Sequence, residues 1–180
     1  MTSLAGLALP IDWTTFGWPV TPRFGDVTCS TGDPKWAWDG SAPAFAIPTF
    51  ELPEGLPVDS FTVDHVVLLV PSLDEAIATL SQAGCEPRLR MAVQGRPAAF
   101  FRVGPVLEVI ESPVRHASIY GLALATDTSL EALALEWRSR NLHVGDVKSA
   151  IQPGRQIVTV HGLDAGFAVM SGDRAVGGGP

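Results

Sequence analysis

Two side chains stand out because each interrupts an apolar run: His65 within Val63-Asp-His-Val-Val-Leu-Leu-Val70, and Glu108 within Val106-Leu-Glu-Val-Ile-Glu111. Strand alternation puts His65 on one face with Val67 and Leu69, and Glu108 on one face with Val106 and Ile110. An imidazole titrates near neutral pH, so a histidine and a carboxylate brought together among apolar groups could act as general acid and base beside a bound carbonyl. Two other readings stand beside that one. The residues could form a buried ion pair, kept because a lone buried carboxylate is costly, or they could anchor a polar ligand without reacting with it.

The remaining chemistry-bearing residues offer less. His116, His143 and His161 belong to no metal-binding motif. Cys29 and Cys85 form no C-x-x-C pair, and two cysteines are too few for a disulfide framework or a zinc knuckle. Arg96 and Arg155 each follow a turn glycine and read as solvated turn residues, with an anionic substrate as the alternative partner. Met91 reads as core, and no phosphate loop or serine-hydrolase elbow is present.

The elements that would hold His65 and Glu108 occur twice. Residues 62–112 and 118–172 share one order of strand, helix and three strands, and two copies of about 50 residues suggest a pseudo-symmetric domain. In the first copy a strand over 63–70 leads to Ser72 and Glu75, a capping box, and to a helix with Leu73, Ile77 and Leu80 on one side, closed at Gly84. Strands follow at 85–91, 97–103 and 106–111. The second copy predicts a strand over 119–125, a capping box from Thr128 to Glu131, a helix with Leu130, Leu133, Ala134 and Trp137 inward, and strands at 143–150, 156–160 and 167–171.

Residues 1–61 differ in kind. Positions 1–60 hold eight of the fifteen prolines and four of the five tryptophans, with seven acids against Arg23 and Lys35. Proline disfavours long helices and central strands, while the aromatics need a surface to bury against. The segment therefore reads as an ordered arm, irregular or with short edge strands, that either lids a cleft or covers exposed sheet. The tail at 173–180 reads as frayed. A net charge of −7 with two lysines and ten scattered arginines argues against nucleic acid. The reduced cysteines, together with an N-terminus that lacks a basic segment, suggest a cytoplasmic protein with no membrane span.

The Asp-His strand, the capped helix and the closing Leu-Glu strand resemble the glyoxalase, bleomycin-resistance and extradiol-dioxygenase group, the vicinal-oxygen-chelate superfamily. The resemblance covers residues 62–172 and implies an α+β fold. Two βαβββ modules would form a curved eight-stranded sheet around a cleft, with helices outside. It also implies metal ligands on the first and last strand of each module. His65 and Glu108 match those positions in the first module. Gly121 stands where the second histidine would be, and Met170 or, with a one-residue shift, Val169 where the second carboxylate would be.

With two ligands left, His65 and Glu108 are a remnant of a metal site, and the expectation is no cofactor, a divalent metal being the alternative. The expected function is binding of a small apolar or aromatic molecule between the modules, lined by Val67, Leu69, Val106, Ile110, Gly121, Ala123 and Met170. The alternatives are a divergent lyase, isomerase or dioxygenase using His65 and Glu108, and an assembly protein using the Trp-rich arm. A homodimer is the default arrangement.

Overall fold

A computed structural model describes residues 2–172, so the tail expectation lies outside the described residues. The arm supplies strands β1 (Ser3–Leu9), β2 (Pro22–Phe24), β3 (Val27–Thr31), β4 (Lys35–Asp39) and β5 (Leu56–Pro57). The first module follows with β6 (Phe61–Val70), α1 (Leu73–Gln82), β7 (Pro87–Val93), β8 (Arg96–Arg102) and β9 (Val106–Glu111). The second has β10 (Ser118–Thr126), α2 (Leu130–Ser139), β11 (His143–Val144), β12 (Lys148–Ser149), β13 (Gln156–His161) and β14 (Gly166–Ser171).

Among the described residues the modules build one nine-stranded sheet in the order β11-β13-β14-β10-β6-β9-β8-β7, with β12 also on β13. That is one strand more than expected, because the segment 143–150 is interrupted. Arg138, from the last turn of α2, donates to the carbonyls of Val144 at 3.2 Å and Gly145 at 2.6 Å, drawing the chain out of the ladder between β11 and β12.

Alternation sorts each strand into a helix face and a cleft face. In β6, Val66, Leu68 and Val70 are buried, while His65, Val67 and Leu69 are half-buried on the other side. Helix α1 is capped as expected, Ser72 Oγ accepting the Glu75 N–H at 3.4 Å, and the Glu111 carboxylate at the end of β9 takes the Leu73 N–H at 2.9 Å. Gly84, at φ 81°, then lets the chain turn left-handed off the helix. The cap of α2 is Ser129 rather than Thr128: Ser129 Oγ accepts from Ala132 N–H at 3.2 Å, and the Thr128 N–H is occupied by Thr126 Oγ1 at 3.1 Å.

The arm is not irregular. It forms its own five-stranded sheet, β4-β1-β3-β2-β5, in which β1 runs parallel to β3 and antiparallel to β4. Proline does not prevent this because Pro10 and Pro34 lie outside strands, Pro22 begins one, and Pro57 sits on the two-residue edge strand β5. The arm lies on the helix side of the large sheet. Phe16 meets Trp137 and Phe167 edge-on at 4.9 Å, and Trp18 meets Phe61 at 5.2 Å and Trp137 at 5.5 Å. Each buried ring of this kind contributes about 2–3 kcal/mol.

Candidate functional site

The cleft opens on the opposite face, with a volume of about 520 Å³. Its lining residues all come from the two modules, and none comes from the arm, which is therefore a cover for the helix face and not a lid. Strand pairing defines its symmetry. His65 pairs with Ala123 and Val67 with Gly121, so a twofold that exchanges His65 with Gly121 also exchanges Val67 with Ala123. Glu108 lies beside Val67 on β9, and Ala168 lies beside Ala123 on β14. The counterpart of Glu108 is therefore Ala168.

This corrects the expected lining. Met170, at 1% exposed, is packed over and does not line the cleft, and Val169 is wholly buried on the helix side. Val106, at the start of β9, also lies outside the cleft wall, whereas Val67, Leu69, Ile110, Gly121 and Ala123 line it together with His65 and Glu108. Tyr120, Ile151, Thr159 and Ala168 are among the residues on the second module's side, and Gln94 and Arg96 reach in from the β7–β8 turn.

Two bulges shape the floor. The β6–β10 register slips at Asp64, between the pairs Val63–Leu124 and His65–Ala123, and again at Tyr120, between Ile119–Leu68 and Gly121–Val67. An extra residue in a strand re-aims its side chain, so Asp64 can lie next to His65 although neighbours on a regular strand point apart. Asp64 Oδ2 accepts from His65 Nδ1 at 2.8 Å, which turns His65 Nε2 toward Glu108 Oε2, 3.7 Å away. That separation is too long for a direct hydrogen bond. Arg155, from the second module, donates through Nη2 to Asp64 Oδ1 at 2.7 Å and through Nε to the Ser171 carbonyl at 2.8 Å. It is no solvated turn residue, its side chain being 9% exposed.

The two carboxyls are driven apart. Burial raises Asp64, but hydrogen bonds from His65 and Arg155, together with their charges, outweigh it and hold the group below the usual aspartate range. At Glu108 burial dominates and pushes the carboxyl up, with His65 pulling only partly against it. An ionised Asp64 thus orients the imidazole, while Glu108 is the group disposed to carry a proton.

The donor set does not fit a tightly held divalent metal. His65 Nε2 and Glu108 offer two donors, Asp64 is spent on the other imidazole nitrogen, and Gly121 and Ala168 offer none. Among the described residues no group of three or more His, Cys, Asp or Glu is arranged as a metal site. Nor is Gly121 a simple vacancy: a Cβ there would lie 1.9 Å from the Gly166 carbonyl oxygen, so β10 and β14 approach too closely for any side chain. His143 and His161 face each other across β11 and β13, with ring centroids 5.4 Å apart, and neither they nor His116 line the cleft. Cys29 and Cys85 are free and buried, and burial raises both thiols.

No protein-family model and no curated protein sequence matches the chain. Solved structures do. A methylmalonyl-CoA epimerase from Mycobacterium tuberculosis, 18% identical, superposes at a TM-score of 0.50 over 61% of this chain and 86% of its own. The chain has the vicinal-oxygen-chelate fold. A hypothetical protein from Bacillus halodurans C-125 with the same fold is 18% identical at a TM-score of 0.52, over 63% of this chain and 96% of its own. A methylmalonyl-CoA epimerase in complex with methylmalonyl-CoA and NH4+ is 16% identical at 0.50, over 62% and 94%. In this version of the vicinal-oxygen-chelate fold, the polar groups of the floor are concentrated on the first module. The second contributes no charged side chain to the lining, only aromatic, aliphatic and small residues with the hydroxyls of Tyr120 and Thr159. Sequence reasoning missed Asp64, Tyr120 and Arg155 as members of the site; no pattern of alternation signals a bulge, and only the repeat-related turns pointed toward Arg155.

Proposed function

We propose that the protein binds a small apolar or aromatic molecule in the cleft between its modules, without the divalent metal that the fold accommodates elsewhere. The observation that carries this reading is the one-sided floor: Gly121 and Ala168 stand opposite His65 and Glu108, leaving a cleft of about 520 Å³ whose floor holds an acid–base pair on the first module alone. A ligand of this class would lie against Val67, Leu69, Ile110 and Ala123, with its polar atom at the 3.7 Å gap between His65 Nε2 and Glu108 Oε2.

The same pair favours a second reading, proton transfer on the bound molecule. Asp64 accepts the Nδ1–H of His65, so Nε2 is the nitrogen able to take or return a proton, and Glu108, whose carboxyl burial raises, faces it as the second proton-carrying group. The comparison with methylmalonyl-CoA epimerases is in keeping with this reading, although it rests on the fold alone. The aromatic rings of the arm pack within the chain, leaving the assembly reading without support.

The test is a fluorescence titration with N-phenyl-1-naphthylamine, a neutral aromatic probe. Saturable binding near one equivalent is expected, unchanged by prior chelation of divalent metal and strongly weakened by Ala168→Trp, which sets a large ring on the cleft floor. Binding that requires a stoichiometric metal, with His65→Ala removing that metal, would overturn the metal-free reading.

A further inference from the structure

We propose that Arg96, held by Ser112, forms an oxyanion subsite in the cleft apart from His65 and Glu108, so that the ligand is an apolar molecule carrying one terminal carboxylate-like group. The proposal rests on the reading of the cleft as a ligand site and adds the chemical class of the ligand. It follows from the pseudo-symmetry of the sheet. Ala98 pairs with Ile110 and Ile157 pairs with Met170, so the two hairpins correspond and Arg96 is the counterpart of Arg155. By the β6–β10 register, Tyr120 is the counterpart of Asp64, each being the bulged residue of its strand.

The molecule thus contains one filled copy of the arrangement. Arg155 holds a carboxylate, that of Asp64, at 2.7 Å. On the other side of the twofold the guanidinium is kept and the carboxylate is replaced by a phenol. Arg96 donates to the neutral Ser112 hydroxyl at 2.6 Å and, among the described residues, forms no ion pair with an acidic side chain. Arg96, Ser112 and Tyr120 all line the cleft, and the Tyr120 ring lies over Gly166, where a Cβ would come within 2.4 Å of its Cε1. An oxyanion from a ligand would occupy the place that Asp64 fills in the other half, paired with a guanidinium whose fork suits it.

The spacing sets the size of the ligand. Ser112 follows Glu108 by four residues along β9 and its continuation, roughly 13 Å at strand rise. A molecule that spans the cleft therefore has its oxyanion about 10 Å from the group held by His65 and Glu108, with apolar atoms between.

Two probes sharing one skeleton test the subsite: neutral N-phenyl-1-naphthylamine, and 8-anilinonaphthalene-1-sulfonate, which adds an oxyanion. Both are titrated against the full chain, Arg96→Gln, the control Arg102→Gln outside the cleft, and Ala168→Trp. The expected result is that Arg96→Gln weakens the sulfonate about tenfold, leaves the neutral probe within about twofold, and that Arg102→Gln alters neither. Equal loss of both probes in Arg96→Gln, or no loss of either, would overturn the subsite. So would a sulfonate signal that survives Ala168→Trp. Failure of the unsubstituted protein to bind the neutral probe would instead bring down the cleft reading on which the subsite rests.

Discussion

Arg155 reaches back 91 residues to hold Asp64 at 2.7 Å, so the orientation of His65 in the first module depends on a guanidinium from the second. Replacing Arg155 with glutamine would leave a largely buried carboxylate short of its charged donor. The expected cost is about 2 kcal/mol, read from the urea midpoint. The nitrogen shifts of the His65 ring should move at the same time, from a single Nδ1–H tautomer toward a mixture. An unchanged midpoint with unchanged ring shifts would mean that the pair does not hold the imidazole.

Stability against pH should separate the two carboxyls, because their shifts have opposite sign. Asp64 is held below the ordinary 3.8, so its contribution is whole above that value and is lost as pH falls through the folded value. Asp64→Asn should therefore be destabilised at neutral pH, and its deficit should close on acidification. Glu108 is raised above the ordinary 4.5, so it favours the folded state in acid and disfavours it as pH rises past that value. Glu108→Gln should melt at or above the temperature of the parent protein at pH 7 and match it in acid. A Glu108→Gln variant that melts lower at pH 7 than at acid pH, relative to parent, would contradict the assignment.

Gly121 makes a steric prediction. With the Gly166 carbonyl oxygen 1.9 Å from where its Cβ would stand, Gly121→Ala must push β10 and β14 apart, at an expected cost of about 3 kcal/mol. Ala168→Glu, at a half-buried position facing the cleft, should fold. Thermal melts of the two variants decide this, and equal tolerance would argue against the close strand approach.

The arm predicts a loss of stability without a loss of site. Trp18→Ala removes contacts with Phe16, Phe61 and Trp137 and should cost about 3 kcal/mol while leaving probe binding intact. Deleting residues 1–60 should expose Trp137 and Phe167 and cause aggregation, measured by light scattering. A truncated chain with an unchanged melting curve would show that the arm covers nothing essential.

How much of this was readable in the sequence depends on whether a feature is periodic. The β6 strand, the α1 cap and the facing of His65 and Glu108 follow from alternation and local capping chemistry, and the structure has them at those positions. The sequence puts the second carboxylate position at Met170 or Val169, two or one residues beyond the place that strand pairing assigns to it. Its true equivalent, Ala168, follows from the pairing of Gly121 with Gly166, which no local pattern encodes. Asp64 was hidden by the rule that exposed His65: strict alternation sends adjacent residues to opposite faces, and only the bulge brings them together. The arm's prolines weigh against strands, yet they fall at strand ends or in the connections, where no ladder hydrogen bond is lost.

The close approach at Gly121 and Gly166 also bears on descent. In a chain made of two versions of one pattern, a lost side chain can ordinarily return by a single change of codon. At 121 the neighbouring backbone occupies that space, so a histidine placed there would meet the adjacent strand before it met any ion. Return would require the strands to separate first, through intermediates less stable than either end. The asymmetry is built into the backbone, so single substitutions can extend the polar floor outward from His65 and Glu108 more readily than they can place a twofold partner at 121.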